Sequence, residues 1–220
     1  MDSTQIIKIL LSAPAVLIAI TFHEAAHGYA AYRLGDPTAK QMGRLTLNPI
    51  PHIDPIGTVI MPAMLLILSG GRFMFGYAKP VPINPYNFKN PRRDMALSAL
   101  AGPLTNIILA VISIILIRFI GPAARTFPSA VGTVITPILY MLISSAALNI
   151  VLAVFNMIPI PPLDGGRVAV GFLPYKAAEA LSRLEPYGMM IVILLFFVLK
   201  IGDILIYPIV DFFMRFVVFY

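Results

Sequence analysis

The chain has 220 residues, of which 59% are hydrophobic and only 12% charged, and its mean hydropathy is +0.87. A soluble globular domain carries about a quarter charged residues, so this balance excludes one and points to an integral membrane protein. The net charge of +6 is not a nucleic-acid signal, because the basic residues sit in loops between apolar runs, as the positive-inside rule produces. There is no cysteine, so disulfides and thiolate metal sites are excluded and any metal must be held by His, Asp or Glu.

In chain order, residues 4–32 predict a first membrane helix, read as retained rather than cleaved as a signal. Its end carries His23-Glu24-Ala25-Ala26-His27. Histidines four positions apart project about 40° from one another at ~100° per residue. That spacing suits one zinc ion held by two imidazoles, with Glu24 aimed at a water on the metal. Ionisable groups in an apolar span cost on the order of 2.5–3.5 kcal/mol each, which makes them functional candidates by default. Leu34-Gly35-Asp36-Pro37 stops the helix.

Residues 38–54 are turn-rich, with short strand-like pieces expected over Ala39–Leu47. His52 lies in a stretch too rich in proline for helix. It reads chiefly as a surface or substrate-side group, direct metal ligation being the alternative. Residues 56–69 are apolar but short for a crossing and contain Pro62. Gly76-Tyr77-Ala78-Lys79-Pro80-Val81-Pro82 reads as extended: either a proline-stiffened loop or an edge able to pair with a substrate strand through Gly76, Tyr77 and Lys79.

Residues 94–119 predict a second span, in which Pro103 cannot bond the carbonyl of Ala99 and should kink the helix, and Asn106 is an amide that wants a partner in the bundle. After a loop at 120–132, residues 133–158 predict a third span with Ser145, Asn149 and Asn156 on one polar stripe. Prolines 159, 161 and 162 then break the helix and present Asp164. This aspartate is the best candidate for a third zinc ligand, with an N-cap for the following helix as the alternative. Residues 167–185 read as an amphipathic basic helix, 186–206 as a further span, and 207–220 as a last short span or interfacial helix.

If His27 and Asp164 share one metal, they lie at similar depth. The two crossings at 94–119 and 133–158 return the chain to its starting side, so residues 56–69 must dip in and return. Most basic residues, from Arg33 to Arg183, then share one face, with only Arg118 and Arg125 opposite. The crowded face is cytoplasmic by positive-inside. The expected fold is an all-α polytopic membrane protein. It has a three-helix catalytic core, a re-entrant segment, short β-strand or hairpin pieces after the first helix, and one or two C-terminal membrane helices at about 186–220. The whole is one domain, 1–220, with its core at about 5–170.

His23-Glu24-x-x-His27, Gly102-Pro103-x-x-Asn106 and Asn156-x-x-Pro159-x-x-x-Leu163-Asp164-Gly165 occur in that order. The set resembles the site-2 protease family of intramembrane zinc metalloproteases. Gly43-Arg44, Asn48-Pro49, His52-x-Asp54-Pro55 and Gly76–Pro82 resemble a compact prokaryotic branch without a PDZ or CBS module. The resemblance implies one zinc per chain held by His23, His27 and Asp164, with Glu24 as general base and acid. It assigns Asn106 and Asn156 to oxyanion or substrate contacts. It implies cleavage of transmembrane-protein substrates in a prokaryotic cytoplasmic membrane, with the active site towards the cytoplasm. The partners are then the substrate and the lipid bilayer, with no nucleic acid, and a homo-oligomer is compatible with the sequence. Two other readings of the same polar groups are a metal or proton transporter and a catalytically inactive scaffold.

Overall fold

The computed structural model describes residues 3–68, 70, 76–122 and 131–217. Arg72, Arg125 and most of the 120–132 loop lie outside these. Three helices are long and apolar enough to cross a membrane: α1 (Ser3–Arg33), α4 (Pro91–Ile120) and α5 (Thr136–Asn156, extended by a wider turn from Thr133). Three such helices are the pattern of a multi-pass membrane protein.

Their directions follow from side-chain bonds between them. His27 meets Ser98 and His23 meets Asn106, so α1 and α4 run antiparallel. Asn106 meets Asn149 and Ser113 meets Ser145, so α4 and α5 are antiparallel. Ser12 meets Ser144 at 3.1 Å, which sets α1 parallel to α5.

α4 is the central helix, and its sequence explains why. Asp94, Ser98, Gly102, Asn106, Ala110, Ser113 and Ile117 recur at intervals of three or four and are all buried. Small residues there let the backbones approach, and the polar ones bond across helices. The opposite face exposes Ile107, Ile108, Val111, Ile112, Ile115 and Phe119, as suits a surface against lipid tails. The helix runs through Pro103 without interruption.

α1 ends where Gly35 takes a left-handed backbone, φ +112°, and Asp36 N–H returns to Ala31 O at 2.9 Å. The strand-like pieces expected over Ala39–Leu47 do not form; Thr38–Gln41 is instead a short helix, α2. Asp36 Oδ1 accepts from Thr38 N at 3.1 Å and starts this turn. Gly43, φ +66°, closes it, with Arg44 N bonding Ala39 O at 2.8 Å. The backbone donors are consumed locally, so no ladder is left to build.

Pro55–Leu68 forms one short apolar helix, α3, opening in a wider turn whose N-terminus Asp54 caps. Beyond it, the extended segment from Gly76 lies beside the start of α3. Tyr77 N bonds Gly57 O at 3.0 Å and Lys79 N bonds His52 O at 3.0 Å.

After α5, the turn at Met157–Leu163 leads into α6 (Asp164–Phe172) and α7 (Tyr175–Ser182). Gly165 and Gly166 are required there. A Cβ would stand 2.3 Å from Met157 O and 2.2 Å from Pro161 N respectively, so only glycine lets α6 start against the turn. Further on, α8 (Gly188–Ile193) and α9 (Tyr207–Met214) are short. The single span expected at 186–206 is interrupted at Lys200, whose φ is +49°. Among the described residues no C-terminal helix is long and apolar enough to cross a membrane.

Candidate metal centre

The last two turns of α1 carry both histidines, and the first residue of α6 carries Asp164. His23 Nε2 and His27 Nε2 lie 3.0 Å apart. Asp164 Oδ2 is 3.2 Å from the first and 3.3 Å from the second. All three residues are buried, each 7% exposed. Asp164 does not cap α6; the N-cap position is Leu163, and the carboxylate turns to the histidines.

The protons can be placed by elimination. His27 Nδ1 is 2.8 Å from Ser98 O. A carbonyl only accepts, so Nδ1 carries the hydrogen, and in the neutral ring Nε2 is a bare lone pair. His23 Nδ1 lies 2.5 Å from Asn106 Oδ1, which likewise only accepts. Asp164 Oδ2 is buried with no hydrogen-bond partner. With both rings neutral, two imidazole lone pairs and a carboxylate oxygen face one point. Such a set is repulsive by itself and is neutralised by a cation. Two nitrogens and one oxygen match the three protein donors of catalytic zinc sites, and the group is one that could hold a metal ion.

Gly102 makes the approach possible. A Cβ on it would stand 2.4 Å from His27 Nε2 and 2.7 Å from His23 Cε1. Ser98, Gly102 and Asn106 thus form an i, i+4, i+8 row along the imidazoles. From motif spacing only Gly102 and Asn106 of this row stand out; Ser98 does not.

Glu24 is half-buried beside them, and its Oε2 accepts from Val81 N at 2.8 Å. Arg44, buried at 8% exposure, donates to Lys79 O at 2.7 Å and Pro80 O at 3.3 Å. The stretch from Gly76 to Pro82 is therefore held against the carboxylate of Glu24. In extended backbone, alternate residues point to opposite edges. Tyr77 and Lys79 spend their backbone groups inward, on Gly57, Thr58, His52 and Arg44. Pro80 and Pro82 have no N–H. Ala78, between the two inward-bonded residues, is left as a donor facing outward.

Other candidates lie apart from this group. His52 is fully buried, not at the surface; its Nε2 donates to Thr46 O at 2.9 Å and anchors the loop fold. It is not among the converging ligand atoms, so metal ligation is excluded in this arrangement. Asn156 Nδ2 bonds Leu152 O of its own helix at 3.0 Å. Asn106 turns its oxygen to a histidine, so in this arrangement that atom faces the metal centre and not a substrate carbonyl. Arg44 was not singled out as a functional residue, because nothing in its local sequence reveals the two carbonyls it reaches across 35 positions.

A chain that buries two histidines at the end of a membrane helix against an aspartate from a later helix is a membrane protein built around a candidate metal centre. Residues 12–199 match peptidase family M50. The chain is 39% identical over 196 residues to "Putative zinc metalloprotease YwhC" of Bacillus subtilis, covering 89% of this chain and 84% of that protein. It is 29% identical over 180 residues to "Putative zinc metalloprotease Rip2" of Mycolicibacterium smegmatis, covering 81% of this chain but only 63% of that protein. A 41% identity to "Putative zinc metalloprotease MJ0611" of Methanocaldococcus jannaschii spans 70 residues, 32% of this chain and 30% of that protein. No solved structure matches. The chain belongs to peptidase family M50, the site-2 protease family.

Proposed function

We propose that this chain is an intramembrane zinc metalloprotease, a single domain that hydrolyses peptide bonds in or near transmembrane segments of membrane-protein substrates. The observation that carries this reading is the convergence of His23 Nε2, His27 Nε2 and Asp164 Oδ2, the last buried and unpartnered. These three side chains would hold the zinc. Zinc bound there supplies Lewis acidity and brings the pKa of a water to roughly 7.

The rest is done by the chain's own groups. Glu24 accepts the proton of the attacking water and returns it to the leaving amine. Val81 N–H fixes one oxygen of that carboxylate, leaving the other for the proton. The substrate must be locally unwound, because a helix hides its carbonyls in i to i−4 bonds. The edge at Ala78, on the same segment as Val81, is suited to hold the opened strand. Asn156 lies at the end of α5 beside the broken backbone and is a polar group of the path into the site.

The topology follows the same logic. Tyr77 bonds back to Gly57 at the start of α3 and Lys79 to His52 just before it, which supports a segment that dips into the bilayer and returns. With Arg33, Lys40, Arg44, Lys79, Lys89, Arg92 and Arg93 at that end, the site opens towards the cytoplasm. A reporter fused near Tyr86 is expected to score cytoplasmic.

The test is zinc analysis of purified protein with cleavage of a model transmembrane substrate. The wild type should hold about one zinc per chain, and Glu24→Gln should keep the metal while losing roughly 10²- to 10⁴-fold in rate. A zinc-free wild type, or Glu24→Gln cleaving at the wild-type rate, refutes the proposal.

A further inference from the structure

A row of buried polar side chains leads away from the metal centre into the bundle. Asn106 and Asn149 are both fully buried. Asn106 Nδ2 donates to Asn149 Oδ1 at 2.8 Å. Asn149 Nδ2 donates to Ser145 O at 2.9 Å. Beyond, Ser145 Oγ and Ser113 Oγ meet at 2.9 Å.

The polarity of this row is set from its far end. Ser145 O is a main-chain carbonyl and only accepts, so the amide nitrogen of Asn149 must face it. The oxygen of Asn149 then faces Asn106, which must answer with its own nitrogen. The oxygen of Asn106 is left for His23 Nδ1, 2.5 Å away. Each amide has one donor end and one acceptor end, so reversing either one leaves two like groups facing each other at a fully buried contact. The ladder of α5 thereby dictates which ring nitrogen of His23 bears the hydrogen.

We propose that Asn149 is a positioning residue for the metal centre: through Asn106 it holds His23 in the tautomer whose Nε2 lone pair points at Asp164 and His27. This rests on the zinc-site reading above and adds to it a residue that touches neither metal nor substrate. Outer partners of a metal-bound histidine are commonly worth 10- to 100-fold in metal affinity. Asn149 stands one partner further out, yet its loss leaves the Asn106 nitrogen only the longer contact to Ala19 O at 3.4 Å to hold its orientation.

The experiment has two arms. Histidine-selective ¹⁵N labelling resolves the three histidines of the chain; signals of His23 are assigned by their loss in His23→Gln. In metal-free wild type, His23 should carry its hydrogen on Nδ1; in Asn149→Leu both tautomers should appear. A hydrogen on Nε2 in the wild type, or an unchanged tautomer in Asn149→Leu, overturns the proposal. In the second arm, zinc affinity is measured by chelator competition for Asn106→Ala, Asn149→Leu and the double variant. Asn149→Leu should weaken zinc by roughly tenfold or more, and the double variant should be no weaker than Asn106→Ala. Losses that multiply show two independent structural effects and also overturn it. A wild type that binds no zinc, with the tautomer as expected, refutes the protease reading and with it the metal role of Asn149, while the amide relay itself stands.

Discussion

Val81 N–H donates to Glu24 Oε2 at 2.8 Å, joining the extended Gly76–Pro82 segment to the carboxylate beside the first histidine. A main-chain donor cannot be removed by truncating a side chain, but proline removes it. Val81→Pro is expected to lower kcat by roughly tenfold or more, from the ~1.5–3 kcal/mol of a hydrogen bond to a charged group. Val81→Ala keeps the N–H and should lose less. Steady-state kinetics on a model substrate decides it, and equal losses in the two variants would count against the contact.

Gly102 leaves no space for a methyl group, whose nearest neighbour would be His27 Nε2 at 2.4 Å. Gly102→Ala must push the imidazoles off their shared point. Zinc affinity should fall by roughly 10- to 100-fold, the range seen when the partners of metal-bound histidines are lost. Chelator competition on the purified variant checks this, with thermal melting to show that the bundle still folds.

Ala78 offers the outward donor on the extended edge. Ala78→Pro should raise KM for a transmembrane substrate more than it lowers kcat, because it removes a pairing contact and not a reacting group. Ala78→Ser retains the N–H and should bind substrate nearly as the wild type does. Unchanged KM in Ala78→Pro would exclude strand pairing at this edge.

Asp36 ties the end of α1 to the loop before α4. Its carboxylate accepts from Asn87 Nδ2 at 2.7 Å, Asn84 N at 2.7 Å and Thr38 N at 3.1 Å. Burial pushes its pKa up, but these bonds outweigh it and hold the pKa below its ordinary 3.8. A depressed folded pKa stabilises the fold above pH 3.8, and that contribution is lost as pH falls through the folded value. Asp36→Asn should therefore melt at lower temperature at pH 7 and show a shallower further loss on acidification below pH 4 than the wild type. Parallel slopes would show that Asp36 makes no such contribution.

Much of the centre was legible locally. His23 and His27 are one helical turn apart, and the proline break at 159–162 presents Asp164; both are short-range facts of backbone geometry. The buried stripe on α4 was partly legible, since Gly102 and Asn106 are unusual in an apolar run. Two expectations failed for local reasons that propensity does not see. Asp36 captured Thr38 and turned a strand-like stretch into helix, and Lys200 broke an apolar run. His52, read chiefly as a surface or substrate-side group, is instead buried, its ring bonding Thr46 O six positions away.

What residue order alone determined is whatever depends on neighbours within a turn or two: the membrane helices, from apolar length; the paired imidazoles, from a period of 3.6 residues; and the family. Tertiary structure decided the rest. It chose Asp164 over a helix cap, aimed Asn106 at His23 rather than outward, and set Val81 on Glu24. Each of these joins atoms between 57 and 141 positions apart, and only the packing of α1, α4 and α5, with main-chain carbonyls as fixed acceptors, selects which polar groups meet.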